Sequence, residues 1–355
     1  MLSMLPFGFL FLSVLVFGTL FSISSVHWLG IWAGLEMNLI GFVPILVYQK
    51  KISESESAVK YFIMQAIGSG LLIFGSLVGF GLEFSWGLSD NNTLDNVLSM
   101  SSLVLIIMSL ILKMGAFPLH YWFPATMAGL SWISCMILVT WQKVAPIFLI
   151  GSFFSVHKVY WLALLLSIFG AGSSVVGGIG GVNQTQVRAL LAYSSIGHLG
   201  WILFSVSYSE LALMVYFYIY ALVSLGMFLV LWYLDKKDML NTKSMNQNHM
   251  YKVLIILTLL MSMGGLPPFI GFISKLMVIM SSVSYMFSLI LIFLVMGSLI
   301  SLFYYLGLFF SLYFSAEPFG LYFNKFLTIN MLASLLFLFN LFGIFLLFLI
   351  LSIYV

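Results

Sequence analysis

The chain has 355 residues, of which 63% are apolar and only 6% charged, and its formal net charge is +3. Soluble domains carry about 25% charged residues, so a water-facing globule is excluded, and with it a nucleic-acid-binding surface or a soluble catalytic domain. The surface is expected to face lipid, and the chain to form one all-α, polytopic membrane domain.

A spanning helix needs about 20 predominantly apolar residues. On that measure eleven spans are predicted, at 4–24, 27–48, 59–82, 97–123, 128–153, 159–181, 187–207, 210–233, 252–283, 285–314 and 328–353. The first has no basic residues before it and no small-residue cleavage site, so it reads as a retained helix and not as a removable signal. The fourth and ninth are too long and too interrupted to be simple helices. The longest polar connections are Gln49 to Ala58, Glu83 to Asn96, Asp235 to Tyr251 and Ser315 to Phe326. None could fold as an extramembrane domain, so any soluble chemistry belongs to a partner.

Charge placement tests the span count. With eleven alternating spans, one side holds Lys50, Lys51, Lys60, Arg188, Lys236, Lys237, Lys243, Lys252 and Lys325, whereas the other holds Lys158 with Glu83, Asp90, Asp95 and Glu210. Basic loops stay on the cytoplasmic or matrix side. The N-terminus is therefore expected inside and the C-terminus outside.

Two segments repeat. Lys113-Met114-Gly115-Ala116-Phe117-Pro118 lies in the fourth span and Ser262-Met263-Gly264-Gly265-Leu266-Pro267-Pro268 in the ninth, with methionine, glycine and proline in one register. Glycine frees the backbone and proline removes a hydrogen bond, so both helices are expected to break there, with Gly115, Pro118, Gly264, Gly265, Pro267 and Pro268 as hinges. The two segments lie five spans apart, an odd number, so the copies would run in opposite directions. That is the mark of inverted-topology repeats around a transport site.

Four charges fall within spans: Glu36 in the second, Lys113 beside the first break, Lys143 in the fifth and Lys275 after the second break. Each costs about 2.5–3.5 kcal/mol at a helix centre, or roughly 10 kcal/mol for four without compensation. They are expected to face the bundle interior as a proton relay. Lysine suits that task, because burial can lower its free pKa of about 10.4 by several units and a nearby carboxylate raises it again. Glu36 is expected to pair with Lys113 and to gate Lys143. His120 and His198 are candidate relay steps, since histidine exchanges protons near neutrality. His27, His157 and His249 lie at span edges or in loops and carry no such role.

Other features point to packing. The single thiol, Cys135, cannot close an intrachain disulfide or hold an iron–sulfur cluster, which takes about four thiolates. Gly177-Gly178-Ile179-Gly180-Gly181 lacks the strand–turn–helix setting and acidic residue of a nucleotide loop. It reads as a close helix contact. No metal or cofactor site is expected on this chain.

Several stretches together carry a family resemblance. They are Trp32-Ala33-Gly34-Leu35-Glu36-Met37-Asn38, the run from Lys113 to Trp122, Trp141-Gln142-Lys143-Val144-Ala145-Pro146, Ser194-Ser195-Ile196-Gly197-His198, and Gly265-Leu266-Pro267-Pro268 with Gly271, Phe272 and Lys275. Their order and spacing resemble the chain 2 family of mitochondrial NADH:ubiquinone oxidoreductase, respiratory complex I, over nearly the whole length. The Gly-Leu-Pro-Pro segment is shared with multisubunit cation/proton antiporters. The resemblance implies an antiporter-like fold of two inverted five-helix repeats, 1–158 and 159–314, each with a broken helix, and an added helix in 315–355. It implies that Glu36, Lys113, Lys143 and Lys275 are the family's functional charges. It further implies that NADH, FMN, the iron–sulfur clusters and ubiquinone are handled by other subunits, with the other membrane-arm subunits as partners. The implied location is the mitochondrial inner membrane, N-terminus in the matrix and C-terminus in the intermembrane space. A cation/proton antiporter outside complex I remains the alternative, and an inactive membrane scaffold the third.

Overall fold

The computed structural model describes residues 7–48, 51–80, 97–157, 159–235, 247–282 and 288–315. The expected eleventh span at 328–353, the C-terminal unit 315–355 beyond Ser315, and Lys50, Glu83, Asp90, Asp95, Lys158, Lys236, Lys237, Lys243 and Lys325 lie outside the described residues.

Within them the protein is entirely helical. In chain order the helices are α1 (Gly8–Ser24), α2 (Trp28–Leu46), α3 (Ile52–Phe80), α4 (Val97–Met114), α5 (Trp122–Gly129), α6 (Trp132–Val139), α7 (Trp141–His157), α8 (Tyr160–Val182), α9 (Val187–Val206), α10 (Glu210–Asp235), α11 (Gln247–Gly264), α12 (Ile270–Ser282) and α13 (Ser288–Ser315). Seven stretches are long and apolar enough to cross a membrane, among them Trp132–Ser155, which joins α6 and α7.

Helices that meet in lipid gain little from the hydrophobic effect, so they associate where small residues let backbones approach. Three crossings follow that rule. On α1 and α2, a Cβ at Gly18 would lie 2.6 Å from the Asn38 nitrogen, and one at Gly34 would lie 2.6 Å from the Ser22 nitrogen. On α8 and α9, Gly170 and Gly177 meet Gly200 and Gly197; a Cβ at Gly170 would lie 2.8 Å from the Gly200 oxygen. On α8 and α13, one at Gly178 would lie 2.8 Å from the Gly297 oxygen. The Gly177–Gly181 cluster is thus a contact surface for α9 and α13. Large apolar side chains away from these crossings stay exposed: Phe9, Phe17 and Leu20 on α1, and Leu289 and Phe303 on α13. α9 lies deepest, with Ser194, Ser195, Ile196, Leu199, Ile202 and Phe204 all buried.

The structure moves three sequence-based boundaries. The stretch read as a connection from Gln49 to Ala58 is helical from Ile52, because Glu54 and Ser55 donate their amides to the Lys51 carbonyl and start α3 seven residues before the expected span. The segment after the first break runs to Gly129, across the expected boundary between the fourth and fifth spans, and only Leu130 and Ser131 separate it from α6. The fifth span is interrupted at Thr140, whose hydroxyl donates back to the Met136 carbonyl at 2.7 Å, a bond that bends helices. Arg188, at the start of α9, fastens the α5–α6 link. Its guanidinium donates to the Leu130 carbonyl at 2.7 Å and lies 4.9 Å from the Trp132 ring. Cys135 is fully buried on α6 and points its thiol at the Met127 carbonyl.

Gly115 has a φ of +73° and Gly265 a φ of +78°. Replacing Gly115 with alanine would place an L residue in the left-handed region, at a cost of about 1–2 kcal/mol, with the new Cβ 2.9 Å from that of Phe123. The expected result is a lower thermal unfolding midpoint of the detergent-solubilised protein. Gly70→Ala, where nothing lies within 4 Å of the new methyl, should leave the midpoint unchanged or raise it, since alanine favours a helix interior by up to about 1 kcal/mol.

Candidate functional site

Both interruptions close with the same backbone device. At the first, the Gly115 amide donates to the Leu112 carbonyl and the Ala116 amide to that of Ile111. At the second, Gly265 donates to Ser262 and Leu266 to Met261. Each is a Schellman closure, with glycine at the left-handed position just past the helix end. These equivalent bonds pair Gly115 with Gly265. The backbone therefore sets Met263 at the place of Lys113, and not Ser262 as the methionine and proline letters suggest. Gly115, Gly265 and the residues leading to Pro118, Pro267 and Pro268 all lie between one helix and the next, whereas Gly264 ends α11.

The helix ends differ in which side chains cap their carbonyls. At the first break the caps are neutral: the Gln65 amide donates to the Lys113 carbonyl at 3.2 Å, and the Trp122 indole to that of Leu112 at 3.0 Å. At the second the cap is a cation. The buried Lys275 ammonium donates to the Gly264 carbonyl at 2.8 Å. Gly265 leaves it room, since a Cβ there would lie 2.7 Å from Nζ. A cation against the carbonyl end of a helix is favoured by the helix dipole.

Lys143, on α7, is 1% exposed. Its ammonium donates to the Tyr220 hydroxyl at 3.2 Å and sits 4.8 Å from the centre of the Phe123 ring and 5.3 Å from that of Tyr220. Phe123 comes from α5, directly after the first break, so the break and the lysine share a wall. The Tyr220 ring lies 5.1 Å from that of His198 on α9, and His198 Nδ1 is hydrogen-bonded to the Tyr216 hydroxyl at 2.9 Å. Tyr216 and Tyr220 stand four residues apart on α10, on one helix face. His198 is within Coulombic reach of both Lys143 and Lys275. His198 and Lys275 line one small cavity with Ser174, Ser194, Ser298 and Ser301. The Trp201 indole, which has no hydrogen-bond partner among the described residues, also faces it. Such a polar cavity suits an ordered water.

The structure thus brings Lys143, His198 and Lys275 into one neighbourhood. Lys113 and Glu36 form a second one. The Lys113 stem crosses α3 at Gly68, where a Cβ would lie 3.2 Å from its Cγ. Glu36, half-buried on α2, is within Coulombic reach of Lys113 and of Tyr61. Among the described residues no direct ion pair joins Glu36 to Lys113, so the expected pairing is replaced by a longer-range interaction. His120 belongs to neither neighbourhood. It is buried at the first break, where Nδ1 donates to the Pro118 carbonyl at 3.2 Å and the ring lies 4.2 Å from that of Tyr121. Among the described residues no three histidine, cysteine, aspartate or glutamate side chains converge as a metal site would require.

Sequence reasoning missed Tyr216, Tyr220, Tyr61, Asn38 and Gln142. The signal was present for the last two: Asn38 stands two residues from Glu36 and Gln142 next to Lys143, both polar within apolar spans. The tyrosines were hidden among 17 residues of their kind.

A family model described as "NADH:quinone oxidoreductase/Mrp antiporter, TM" matches residues 25–301. NADH-ubiquinone oxidoreductase chain 2 of Anopheles gambiae is 43% identical over 276 residues, covering 76% of this chain and 75% of the relative. The protein of the same name from Lumbricus terrestris is 36% identical over 290 residues, covering 81% of each chain. Among solved structures, a chain of respiratory complex I from Thermus thermophilus with bound aureothin superposes with a TM-score of 0.76 at 21% identity, covering 95% of this chain and 77% of that one. The chain belongs to the NADH:quinone oxidoreductase/Mrp antiporter membrane family, with the chain 2 proteins of NADH-ubiquinone oxidoreductase.

The cationic cap predicts a stability effect. Lys275→Ala leaves the buried Gly264 carbonyl without its donor, and hydrogen bonds to charged groups contribute about 1.5–3 kcal/mol. The thermal midpoint of the solubilised protein should fall. Lys275→Met restores the bulk of the stem and should recover part of the loss.

Proposed function

We propose that this member of the chain 2 family is a proton-translocating subunit of the membrane arm of respiratory complex I. The observation that carries the reading is the buried cluster of Lys143, Tyr220, His198 and Lys275: Lys143 donates to the Tyr220 hydroxyl, the Tyr220 ring lies beside that of His198, and His198 is within Coulombic reach of both lysines. Its membership of the family supports the same conclusion. NADH oxidation and ubiquinone reduction take place on other subunits, which hold FMN and the iron–sulfur clusters. This chain takes part in the enzyme by moving protons.

Each step follows from short-range electrostatics. Glu36 on α2 acts on Lys113 of α4, whose stem runs over Gly68 of α3. A proton gained or lost at Lys143 changes a charge with little water to screen it, so its neighbours respond strongly. The Tyr220 hydroxyl accepts from Lys143 and can also donate, and its ring lies beside His198, whose Nδ1 is hydrogen-bonded to the Tyr216 hydroxyl. The histidine faces the cavity that also holds the Lys275 side chain, and water there would complete the path.

The same reading supplies the architecture. Eleven spans are arranged as inverted repeats 1–158 and 159–314, with the unit 315–355 added. Matching Schellman closures at Gly115 and Gly265 support two equivalent broken helices. The nine basic residues assigned to one side support an N-terminus in the mitochondrial matrix and a C-terminus in the intermembrane space. Partners are the neighbouring membrane-arm subunits and lipid.

Two experiments test this. A native gel of gently solubilised membranes, stained for NADH oxidation, should show the chain in a very large NADH-oxidising band. Migration in a small complex without that activity would instead identify an antiporter of the related Mrp class. In the assembled complex, Lys143→Ala should slow proton transfer through this path by about a hundredfold or more, the usual range for a lost proton-transfer group. It would be read as protons taken up per NADH oxidised in proteoliposomes. Glu36→Gln should lower the same ratio, and normal pumping by that variant would remove the carboxylate from the gating step.

A further inference from the structure

The two neighbourhoods described above are joined by a group of uncharged residues. Asn38 Nδ2 donates to Gln142 Oε1 at 2.9 Å, and Gln142 Nε2 donates to Asn38 Oδ1 at 3.0 Å. The two amides thus form a reciprocal pair between α2 and α7. Tyr61, on α3, donates its hydroxyl to the same Gln142 Oε1 at 3.3 Å. All three residues are buried.

We propose that Asn38, Gln142 and Tyr61 are a positioning unit that fixes the Glu36-bearing helix against the Lys143-bearing helix, so that the carboxylate and the lysine respond to one another in proton transfer. Asn38 stands two residues from Glu36 on α2, and Gln142 immediately precedes Lys143 on α7. Successive helical residues are turned by about 100°. Gln142 can therefore face α2 while Lys143 faces Tyr220 and Phe123. The two bonds of the pair are antiparallel and break together when either helix slides or rotates, which makes the contact sensitive to register.

Tyr61 ties the pair to a third helix, its hydroxyl donating to the oxygen of Gln142. Tyr61 is also within Coulombic reach of Glu36. It packs against Phe42 of α2 at 5.2 Å and against Trp122 of α5 at 5.8 Å between ring centres. Trp122 in turn caps the helix end beside Lys113. One residue therefore touches the carboxylate's helix, the first break and the amide next to Lys143.

The inference rests on the proton-translocation reading, and the test separates the two. Asn38→Ala, Gln142→Ala, the double variant, the exchanged pair Asn38→Gln with Gln142→Asn, and Tyr61→Phe are compared in the assembled complex. Protons taken up per NADH oxidised in proteoliposomes are measured, with Lys143→Ala as reference. Either alanine variant should lower the ratio, the double variant should be no worse than a single one, and the exchanged pair should recover most of the loss. Wild-type ratios in the single variants overturn the proposal. So do losses that add in the double variant, because the two amides would then act independently. Failure of the exchanged pair to recover the ratio also overturns it. If the alanine variants do not assemble, Tyr61→Phe decides. It removes one oxygen from a buried ring, a lowered ratio is expected, and an unchanged ratio overturns the proposal. Lys143→Ala pumping normally would sink the proton-path reading itself, whereas its failure to pump beside normal Asn38 and Gln142 variants would remove only the positioning unit.

Discussion

A buried polar group in a lipid-facing bundle can find a partner only inside the protein, because hydrocarbon offers none. Much of the structure follows from that constraint. Serine hydroxyls along α8, α9 and α10 turn back onto their own helix carbonyls, as Ser167, Ser194, Ser195 and Ser224 do. The ends of α4 and α11, which fall within apolar segments, are closed by glycine in the left-handed region. Side chains of Gln65, Trp122 and Lys275 donate further to carbonyls at these ends. Where the constraint is hardest to meet, around the ammonium of Lys143, aromatic faces and a tyrosine hydroxyl take the place of a counter-ion. An ammonium over a ring face is stabilised by the ring quadrupole, and that interaction carries no net charge of its own.

The two interruptions show how one backbone solution serves two chemical ends. Their closing hydrogen bonds correspond residue for residue, yet a neutral amide and an indole cap the first and an ammonium caps the second. The difference traces to where lysine stands. Lys113 precedes its glycine, so its side chain leaves the closure and runs over Gly68 of α3. Lys275 follows its glycine by ten residues and folds back onto the helix end. The lysine of the first break is thus turned toward the Glu36 side of the bundle, while the lysine of the second serves the cavity shared with His198.

The elements most legible in the sequence were those governed by composition over long windows. Apolar length located the helices α1, α2, α8, α9, α10 and α13 closely, and glycine with proline located both interruptions. Boundaries set by single hydrogen bonds were not legible. The start of α3 lies in a Ser-Glu run that reads as loop until the Lys51 carbonyl is seen to accept two amides. The bend at Thr140 depends on one hydroxyl bonding backwards. Among site residues, the charges were legible because lysine and glutamate are rare in membrane spans and costly there. Asn38 and Gln142 left a weaker signal as amides beside Glu36 and Lys143, and Tyr61 left none, because amides and phenols are cheap enough to occur for packing alone. Their convergence from three helices is what joins them. The Glu36–Lys113 pairing failed as a direct contact because sequence order says which helices carry opposite charges and nothing about the stems between them.

The spacing of the charges has an energetic consequence. Two unit charges 4 Å apart interact by about 4 kcal/mol at an effective dielectric of about 20, and by about half that at twice the distance. Carrying one charge against the membrane potential takes about 2.3 kcal/mol per 100 mV. A direct Glu36–Lys113 ion pair would therefore hold its proton more firmly than one step of transport requires, and would act as a trap. In the proposed relay, separation without contact weakens that hold. A relay whose steps are matched to the potential it works against must keep its charges apart by fixed distances. In a helical bundle, fixed distances come from groups that do not themselves titrate: the glycine crossings between helices, the Schellman closures, and neutral amide pairs such as Asn38 with Gln142.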